Sequence, residues 1–348
     1  MNLSCPRAQA LAVVLLALGG GCVAAQDTSA ATTGSSAATT PTTPTGKAPA
    51  PAARANCGPA AAAELGHSVG EVGTRIYGAE LSSSETESDQ RQVEGYGPLL
   101  SAVASGSTGA IEAAVTSLVY SHTHIVRLRI TKGSTVLADV GGPYILAPVS
   151  GSLRLNGRTI AHYVLSVQDD LGYVKLVTRF LGVPLTMRVG SRQLPVEGLL
   201  PVGAASIPAE GPLTYRHVHY EAFSFNARSF PGGPLRISLL APLPPSLSAK
   251  SCPEIKSAEL GHAAQLISQQ FSLSPESFPG YIRLVSTLTH GQLYIRSGSR
   301  QLAGSSPTGP RSLPSTGTVT YHRRTYEVYS FTAPTSVGQV RIYQLVSP

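Results

Sequence analysis

The chain has 348 residues, a formal charge of +7 and only 13% charged side chains. Its basic residues are spread singly, so the clustered cationic surface of a nucleic-acid-binding protein is not predicted. No segment after the N-terminus is apolar over the length of a transmembrane helix, which excludes a receptor with two membrane spans.

The N-terminus has the composition of an export signal. Arg7 precedes an apolar run from Ala8 to Leu18, which predicts a signal peptide over residues 1–25. Two processing routes stay open. Cys22 follows three glycines and resembles a bacterial lipoprotein box, although its usual aliphatic position is a glycine, and Val23-Ala24-Ala25 suits an ordinary signal peptidase. We therefore expect an extracytoplasmic protein that is lipid-anchored through Cys22 or secreted.

A Ser/Thr/Pro/Ala-rich segment, residues 26–56, follows the signal. It is nearly free of large apolar side chains and cannot offset the entropy of ordering, which predicts a disordered linker. Unselected low-complexity filler is the alternative. After it only Cys57 and Cys252 remain, and an oxidising compartment favours a disulfide between them.

Four sequence blocks occur twice in the same order. Glu64-Leu65-Gly66-His67 follows Cys57 at the spacing at which Glu259-Leu260-Gly261-His262 follows Cys252. Further along, the pentapeptide GSRQL recurs. A block of Thr, Tyr, Ser and Phe residues over 214–227 returns at 320–333, and Leu235-Arg236-Ile237 has its counterpart in Val340-Arg341-Ile342. A repeat of this length indicates two related folded units.

The two units differ in size. We assign residues 57–245 to the first and residues 250–348 to the second. The first is larger by nearly one small lobe, which falls at roughly residues 95–180, between its opening helix and its GSRQL block.

Hydrophobic periodicity predicts helices followed by short antiparallel strands. The predicted helices are Ala60–Ile76, Leu99–Leu118 and Ile255–Phe271. The predicted strands are His124–Ile130, Thr135–Val140, Thr159–Val167, Tyr173–Phe180, Pro184–Val189, His219–Phe225 and Leu235–Leu240. This element order is typical of the α+β class.

The run HIVRLRITKGSTVLADVGGPYILAPVSG (124–151) and the run from Gly157 to Leu194 resemble extracytoplasmic Cache or PDC sensor domains. In that family a helix packs on a PAS-like antiparallel sheet, and small ligands, often carboxylates or amino acids, lie between the sheet and its covering loops. Members usually continue through a membrane helix into a signalling output, whereas this chain ends at Pro348. The resemblance implies a stand-alone ligand-binding domain that acts through a membrane-bound signalling partner, with the smaller repeat unit as support.

Polar and aromatic residues of this region are the candidate ligand contacts. Arg127 and Arg129 share one face of a strand, and a guanidinium group binds a carboxylate bidentately, although a solvated face is the alternative. Asp169 equally suits a helix N-cap, and the tyrosines equally suit core packing. The predicted ligand-binding residues are His124, Arg127, Arg129, Tyr144, Tyr163, Ser166, Gln168, Asp169 and Tyr173.

The sequence offers little support for metal binding or catalysis. The pairs His122/His124 and His217/His219 have a spacing that can hold zinc or copper, but nothing in the sequence makes them converge, and no metal or cofactor is predicted. Signatures of hydrolases, zinc proteases and phosphate loops are absent, so no enzyme is predicted. We expect binding of a small polar ligand, with a structural or interaction module of the envelope as the alternative.

Overall fold

A computed structural model describes residues 55–121, 124–143, 145–203 and 207–348. The predicted signal peptide, Cys22 and most of the predicted linker lie outside these residues, as does Tyr144.

The described residues contain helices and antiparallel strands. The helices are α1 (Ala61–Leu81), α2 (Ser84–Gly95), α3 (Gly97–Ser105), α4 (Thr108–Ser121), α5 (Asp170–Leu181), α6 (Cys252–Ser268) and α7 (Phe278–Thr289). The strands are β1 (Arg127–Lys132), β2 (Thr135–Gly141), β3 (Ile145–Leu146), β4 (Val149–Leu155), β5 (Arg158–Ser166), β6 (Gln168–Asp169), β7 (Leu185–Val189), β8 (Arg192–Gln193), β9 (Glu210–Tyr215), β10 (Val218–Phe230), β11 (Gly233–Pro242), β12 (Gln292–Ser297), β13 (Arg300–Gly304), β14 (Thr316–Tyr321), β15 (Arg324–Thr335) and β16 (Gly338–Val346).

The strands form three sheets that share one strand order. The third sheet runs β13-β12-β16-β15-β14, and the second runs β8-β7-β11-β10 with β9 beside β10. The first sheet runs β2-β1-β5-β4, whereas the short strands β3 and β6 pair with each other and extend the second sheet beyond β10. In each sheet the first strand of the unit therefore lies next to its last strand: β1 beside β5, β7 beside β11 and β12 beside β16.

The repeated sequence blocks correspond to repeated structure. Helix α1 packs on β10 and β11, and α6 packs on β15 and β16. The second and third sheets therefore each have the opening helix of their unit on one face. The unit made of α1, α5 and β7–β11 thus has its counterpart in α6, α7 and β12–β16. The predicted fold class, α+β with PAS-like antiparallel sheets and a smaller related repeat, is confirmed. The first sheet and helices α2–α4 are inserted between α1 and α5.

Two predicted elements are wrong. The helix expected over Leu99–Leu118 is broken, because Gly106 adopts a left-handed conformation (φ 74°) and ends α3 before α4 begins. The strand expected over Tyr173–Phe180 is the helix α5, which begins at an Asp169 N-cap and ends at the left-handed Gly182. Its buried residues recur every three or four positions, as a helix packed on one side requires.

Glycines let α1 lie close to the second sheet. A side-chain carbon at Gly66 would overlap Glu221, and one at Gly70 would overlap the ring of Phe223. In the repeat, a side-chain carbon at Gly261 of α6 would overlap Tyr329. The glycine of the repeated ELGH block is therefore explained by close approach of helix and sheet.

The opening helices of the two related units are joined at their N-terminal ends. Cys57 and Cys252 form a disulfide with a Cα–Cα distance of 4.8 Å. The backbone N–H of Cys57 also donates to the carbonyl of Lys250 over 2.7 Å. Among the residues described, no helix combines the length and apolar character that a membrane span needs.

Candidate functional site

The first sheet has one face packed with hydrocarbon and one polar face. Leu128 and Ile130 of β1 point toward α2–α4, where they join a fully buried apolar cluster that also includes Leu118. Arg127 and Arg129 alternate with them and therefore lie on the opposite face, which we call the outer face of the first sheet. A ligand site in this lobe belongs on the outer face, because the inner face is occupied by side chains.

Two arginines on the outer face share one carboxylate. Arg127 donates from Nε and a terminal nitrogen to the two oxygens of Asp139, each over 2.8 Å. Arg129 donates to Oδ2 of Asp139 over 2.9 and 2.5 Å. Both guanidinium groups lie over the ring of Phe230 from β10, at 5.3 and 4.3 Å from its centroid. The cluster carries two positive charges and one negative charge.

The donors of the two arginines are used unequally. Arg127 also donates to the carbonyls of Gly142 and Pro143, so it is held on several sides. Arg129 uses Nε and one terminal nitrogen, and its other terminal nitrogen has no acceptor among the described residues. The side chains are 13% and 25% exposed, respectively, so Arg129 is the arginine that is open to a ligand.

The pKa of Asp139 reflects its position between two cations. Burial opposes ionisation of the carboxyl group, but hydrogen bonds and Coulomb attraction from Arg127 and Arg129 outweigh that effect and hold its pKa below the usual range. Asp139 is therefore a fixed anion, and one positive charge of the cluster stays uncompensated.

The equivalent positions in the other two sheets are closed. The first strand of each sheet is followed by a two-residue hairpin turn, and Arg129 lies three positions before the last residue of β1. The residues three positions before the ends of β7 and β12 are Thr186 and Tyr294. Both side chains are fully buried. Small apolar clusters cover those outer faces, and Arg188 and Arg296 bond to carbonyls of the covering segments. The first sheet alone among the three places a partly exposed guanidinium group there.

The two predicted tyrosines that are described lie in the interior. Tyr163 is on β5, faces α2 and donates to Glu94 over 2.8 Å. Tyr173 is on α5, is fully buried and donates to the carbonyl of Gly73 over 2.9 Å. Burial raises the pKa of both hydroxyls, so they are neutral donors. They lie in different apolar clusters and away from the arginine pair.

Ser166, Gln168 and Asp169 lie where the first sheet passes into α5. The Ser166 hydroxyl is fully buried and donates to the carbonyls of Leu146 and Gln168. The Gln168 amide donates to the carbonyl of Asp169 over 3.1 Å. Asp169 caps α5 by accepting from the backbone N–H of Gly172 over 2.5 Å. Each of these groups is bonded to backbone, and Ser166 is the pairing partner of Arg127 across β1 and β5.

The remaining candidates are not brought into a cluster. His124 is partly exposed and precedes β1, whereas Tyr144 and His122 lie outside the described residues. His217 is at the tip of the β9–β10 hairpin, and His219 contacts Thr214 at 3.0 Å. Within the described ranges, no three His, Cys, Asp or Glu side chains are placed to hold a metal ion.

Sequence reasoning missed two members of the outer-face cluster. If the β1–β2 hairpin were regular from the turn at Gly133 onward, Ala138 would pair with Arg129. An irregularity between Ile130 and Thr131 shifts the register, so Asp139 pairs with Arg129. Phe230 comes from the second sheet, about a hundred residues later, and no local signal in the sequence connects it to β1.

Two openings on the described surface lie elsewhere. One, of about 590 Å³, is a wide depression along the exposed side of α4, bordered by Glu112 and Tyr120. The other, of about 20 Å³, is a narrow gap between α1 and β10 beside Glu221. Neither is lined by the predicted ligand-binding residues, and the partial exposure of Arg127 and Arg129 makes the outer-face cluster a surface site.

No known protein family model matches the sequence, and no curated protein matches it either. Among solved structures, the chain is similar to the periplasmic domain of Vibrio cholerae LuxQ, with 10% identity, a TM-score of 0.34, and coverage of 52% of this chain and 100% of that one. It is also similar to an extracellular ligand-binding receptor from Desulfohalobium retbaense, with 11% identity, a TM-score of 0.29, and coverage of 51% and 39%.

These neighbours are sensor or receptor domains from outside the cytoplasm. Their TM-scores are below 0.5, so the likeness supports no statement about what this chain binds.

Proposed function

We propose that this chain is a non-enzymatic, extracytoplasmic, sensor-like domain that binds a small carboxylate-bearing ligand on the outer face of the first sheet. One observation carries the proposal. Three sheets share a strand order, and the position that is a buried Thr186 in the second and a buried Tyr294 in the third is a partly exposed Arg129 in the first.

The charge and geometry of the cluster favour a carboxylate. Asp139 neutralises one of the two guanidinium groups, and its lowered pKa keeps it ionised, so the cluster attracts an anion. A guanidinium group with an unshared terminal nitrogen can donate two N–H bonds to a planar carboxylate. The ring of Phe230 beneath Arg129 fixes the plane of that group before the ligand arrives.

The disulfide supports the extracytoplasmic location, because such bonds persist where the compartment is oxidising. We assign residues 57–245 to the ligand-binding domain and residues 250–348 to a supporting repeat unit. We further propose anchoring through Cys22 and action through a membrane-bound signalling partner.

A second candidate is an envelope interaction module without a ligand. The observation that favours it is the closed packing of the first lobe, since the space between α2–α4 and the first sheet is filled by Leu99, Val115, Leu128 and other buried side chains. In that case the arginine cluster is a structural ion-pair network.

A thermal-shift screen separates the two candidates. The purified chain, an Arg129→Gln variant and an Arg154→Gln control, which removes an exposed arginine from β4, are titrated with acetate, succinate and the common amino acids. A ligand at a hundred times its Kd stabilises the folded state by about 2.7 kcal/mol. We expect the melting temperature of the chain and of the control to rise, and that of Arg129→Gln not to respond.

Two results would argue against the carboxylate site. If no compound shifts the unsubstituted chain, the interaction module is favoured. If Arg129→Gln responds as strongly as the control does, a ligand is bound, but elsewhere on the molecule.

A further inference from the structure

Each sheet contains a hairpin with two central residues: β4–β5 in the first sheet, and β9–β10 and β14–β15, which occupy equivalent places, in the second and third. Both central residues of each hairpin have positive φ, which favours Asn-Gly and is unusual for long side chains. The central residues are Asn156-Gly157 in the first sheet, Arg216-His217 in the second and His322-Arg323 in the third. The second and third sheets therefore have arginine and histidine at positions where the backbone conformation favours asparagine and glycine.

The two basic hairpins project from the same end of the molecule. Glu221 of β10 is level with Gly66 of α1, and both elements run in the same direction, since Tyr77 later in the helix meets the backbone of Arg228. The tip at His217 is four residues from Glu221, about 13 Å along a strand. Ala61, the first residue of α1, is only about 7.5 Å beyond Gly66. The hairpin thus extends past the N-terminal end of the helix.

The third sheet repeats this geometry. Tyr329 of β15 is level with Gly261 of α6, and the backbone N–H of Ser336 donates to Leu273 beyond the end of that helix. The tip at Arg323 is six residues from Tyr329, about 20 Å along the strand, whereas the helix begins about 13 Å from Gly261. Because the disulfide joins the two helix N-termini, both tips lie at one end, which we call the hairpin end.

The hairpin end is cationic and exposed. Its exposed basic side chains are Arg216, His217, His219, Lys250, His322, Arg323 and Arg324. The acidic residues on the first turns of the two helices are Glu64 and Glu254, and Glu254 is bonded to Ser251 in the cap of α6. No ion pair joins an arginine of the two tips to a carboxylate within the described part of the chain. Val218, 42% exposed, adds an apolar side chain at one tip.

The N-terminal segment enters the fold at this same end. The described residues begin at Ala55, two positions before the disulfide-bonded Cys57. The residues between Cys22 and Ala55 can reach at most about 110 Å when fully extended. An anchor at Cys22 would therefore keep the hairpin end within that distance of the membrane that holds it.

We propose that the hairpin end docks on the anionic headgroups of a phospholipid bilayer. Basic residues near an anionic membrane each strengthen binding by roughly fivefold at moderate salt, and they act over about a Debye length. Docking would set the orientation of the domain, in addition to any covalent anchor. It is independent of the proposed carboxylate site, whose arginines are on the first sheet.

The test uses a variant in which both basic tips are replaced by the dipeptide of the first sheet. Arg216→Asn, His217→Gly, His322→Asn and Arg323→Gly remove two arginines and also relieve the unfavourable backbone conformation, so the variant should fold and melt higher. A control with Arg154→Gln and Arg158→Gln removes two arginines flanking the first hairpin. Binding is measured by sedimentation with phosphatidylglycerol/phosphatidylcholine vesicles and with pure phosphatidylcholine vesicles. The difference between the two removes any contribution of a lipid anchor to binding.

We expect the unsubstituted chain and the control to bind anionic vesicles more strongly than neutral ones, and 0.5 M salt to remove the difference. The tip variant should lose about 25-fold in its anionic partition coefficient. The proposal is overturned if the chain does not distinguish the vesicles, or if the control loses as much as the tip variant. It is likewise overturned if the tips affect binding only to an anionic cell-wall polymer and not to vesicles.

Discussion

Replacing Asp139 by Asn tests whether the outer-face cluster is held by its shared carboxylate. The carboxylate accepts four hydrogen bonds of 2.5 to 2.9 Å from two guanidinium groups and is about one-fifth exposed. Breaking a buried ion pair by removing one partner costs about 3–5 kcal/mol. An asparagine oxygen keeps some bonds and the site is partly exposed, so we expect Asp139→Asn to lower the free energy of unfolding by about 2–4 kcal/mol.

Chemical denaturation at pH 7 measures this loss, and Glu87→Gln is the matched control. Glu87 pairs with Arg91 over 3.9 Å with both side chains mostly exposed, and such a pair contributes at most about 0.5 kcal/mol. The pKa of Asp139 is lowered in the folded protein. Its stabilisation is therefore present above the unfolded pKa of about 3.9 and is lost as the pH falls through the lower folded value.

The difference between the unsubstituted chain and Asp139→Asn should accordingly shrink below about pH 4. A loss no larger than that of Glu87→Gln, or one independent of pH between 7 and 3, would refute the view that this carboxylate organises the two arginines. Acetate or another anion should stabilise Asp139→Asn more than the unsubstituted chain, because both guanidinium charges are then free to attract it.

Two further predictions concern the scaffold. A side chain at Gly70 would overlap the aromatic ring on β10, so Gly70→Ala should lower the free energy of unfolding by about 1–3 kcal/mol. Gly78 on the same helix has open space around it, so Gly78→Ala should raise the free energy of unfolding by about 0.5–1 kcal/mol. Urea denaturation measures both changes. Burial and then repulsion from Glu85 raise the pKa of Glu80 to about 7. The folded state then binds the extra proton, so stability should fall as the pH rises from about 4.5 to 7. Glu80→Gln should reduce that slope in thermal melts at graded pH, and the remainder should come from Glu259, whose pKa burial also raises to about 7.

The strand order and the repeat could be predicted only in part from the sequence. The ELGH and GSRQL blocks fix the correspondence of α1 with α6 and of the β7–β8 hairpin with the β12–β13 hairpin. The first lobe has no such block, because its strand residues differ from those of the other two sheets. Its relationship to the other two units is visible only in the strand order, which depends on pairings between distant segments.

Helix α5 shows how local propensity misleads. Its residues from Tyr173 to Phe180 are rich in valine and aromatic side chains, which favour strands. The N-cap at Asp169 and the left-handed Gly182 bound a helix of three turns, and its apolar face packs against α1 and α6. Tertiary packing of that face decides the structure over the β propensity of the individual residues.

Within the candidate site, the two arginines could be predicted from the sequence, but the residues around them could not. Alternation along β1 places Arg127 and Arg129 on one face, and this follows from the period of a strand. Their acceptor depends on a register irregularity in the β1–β2 hairpin, and Phe230 depends on how two sheets meet. Neither feature leaves a pattern in the residues of β1.

The three sheets together indicate where this chain can change function without losing its fold. In the second and third sheets, the outer face is covered by the chain's own side chains, and a charged substitution at the fully buried Thr186 or Tyr294 would bury an unpaired charge. In the first sheet the corresponding side chain is charged, partly exposed and balanced by a carboxylate from the neighbouring strand. Under the proposed function, a change at Arg129 would alter recognition at a limited cost in stability, whereas the covered positions are constrained by packing. This difference between equivalent positions, more than any single contact, is the reason for placing ligand recognition on the first sheet.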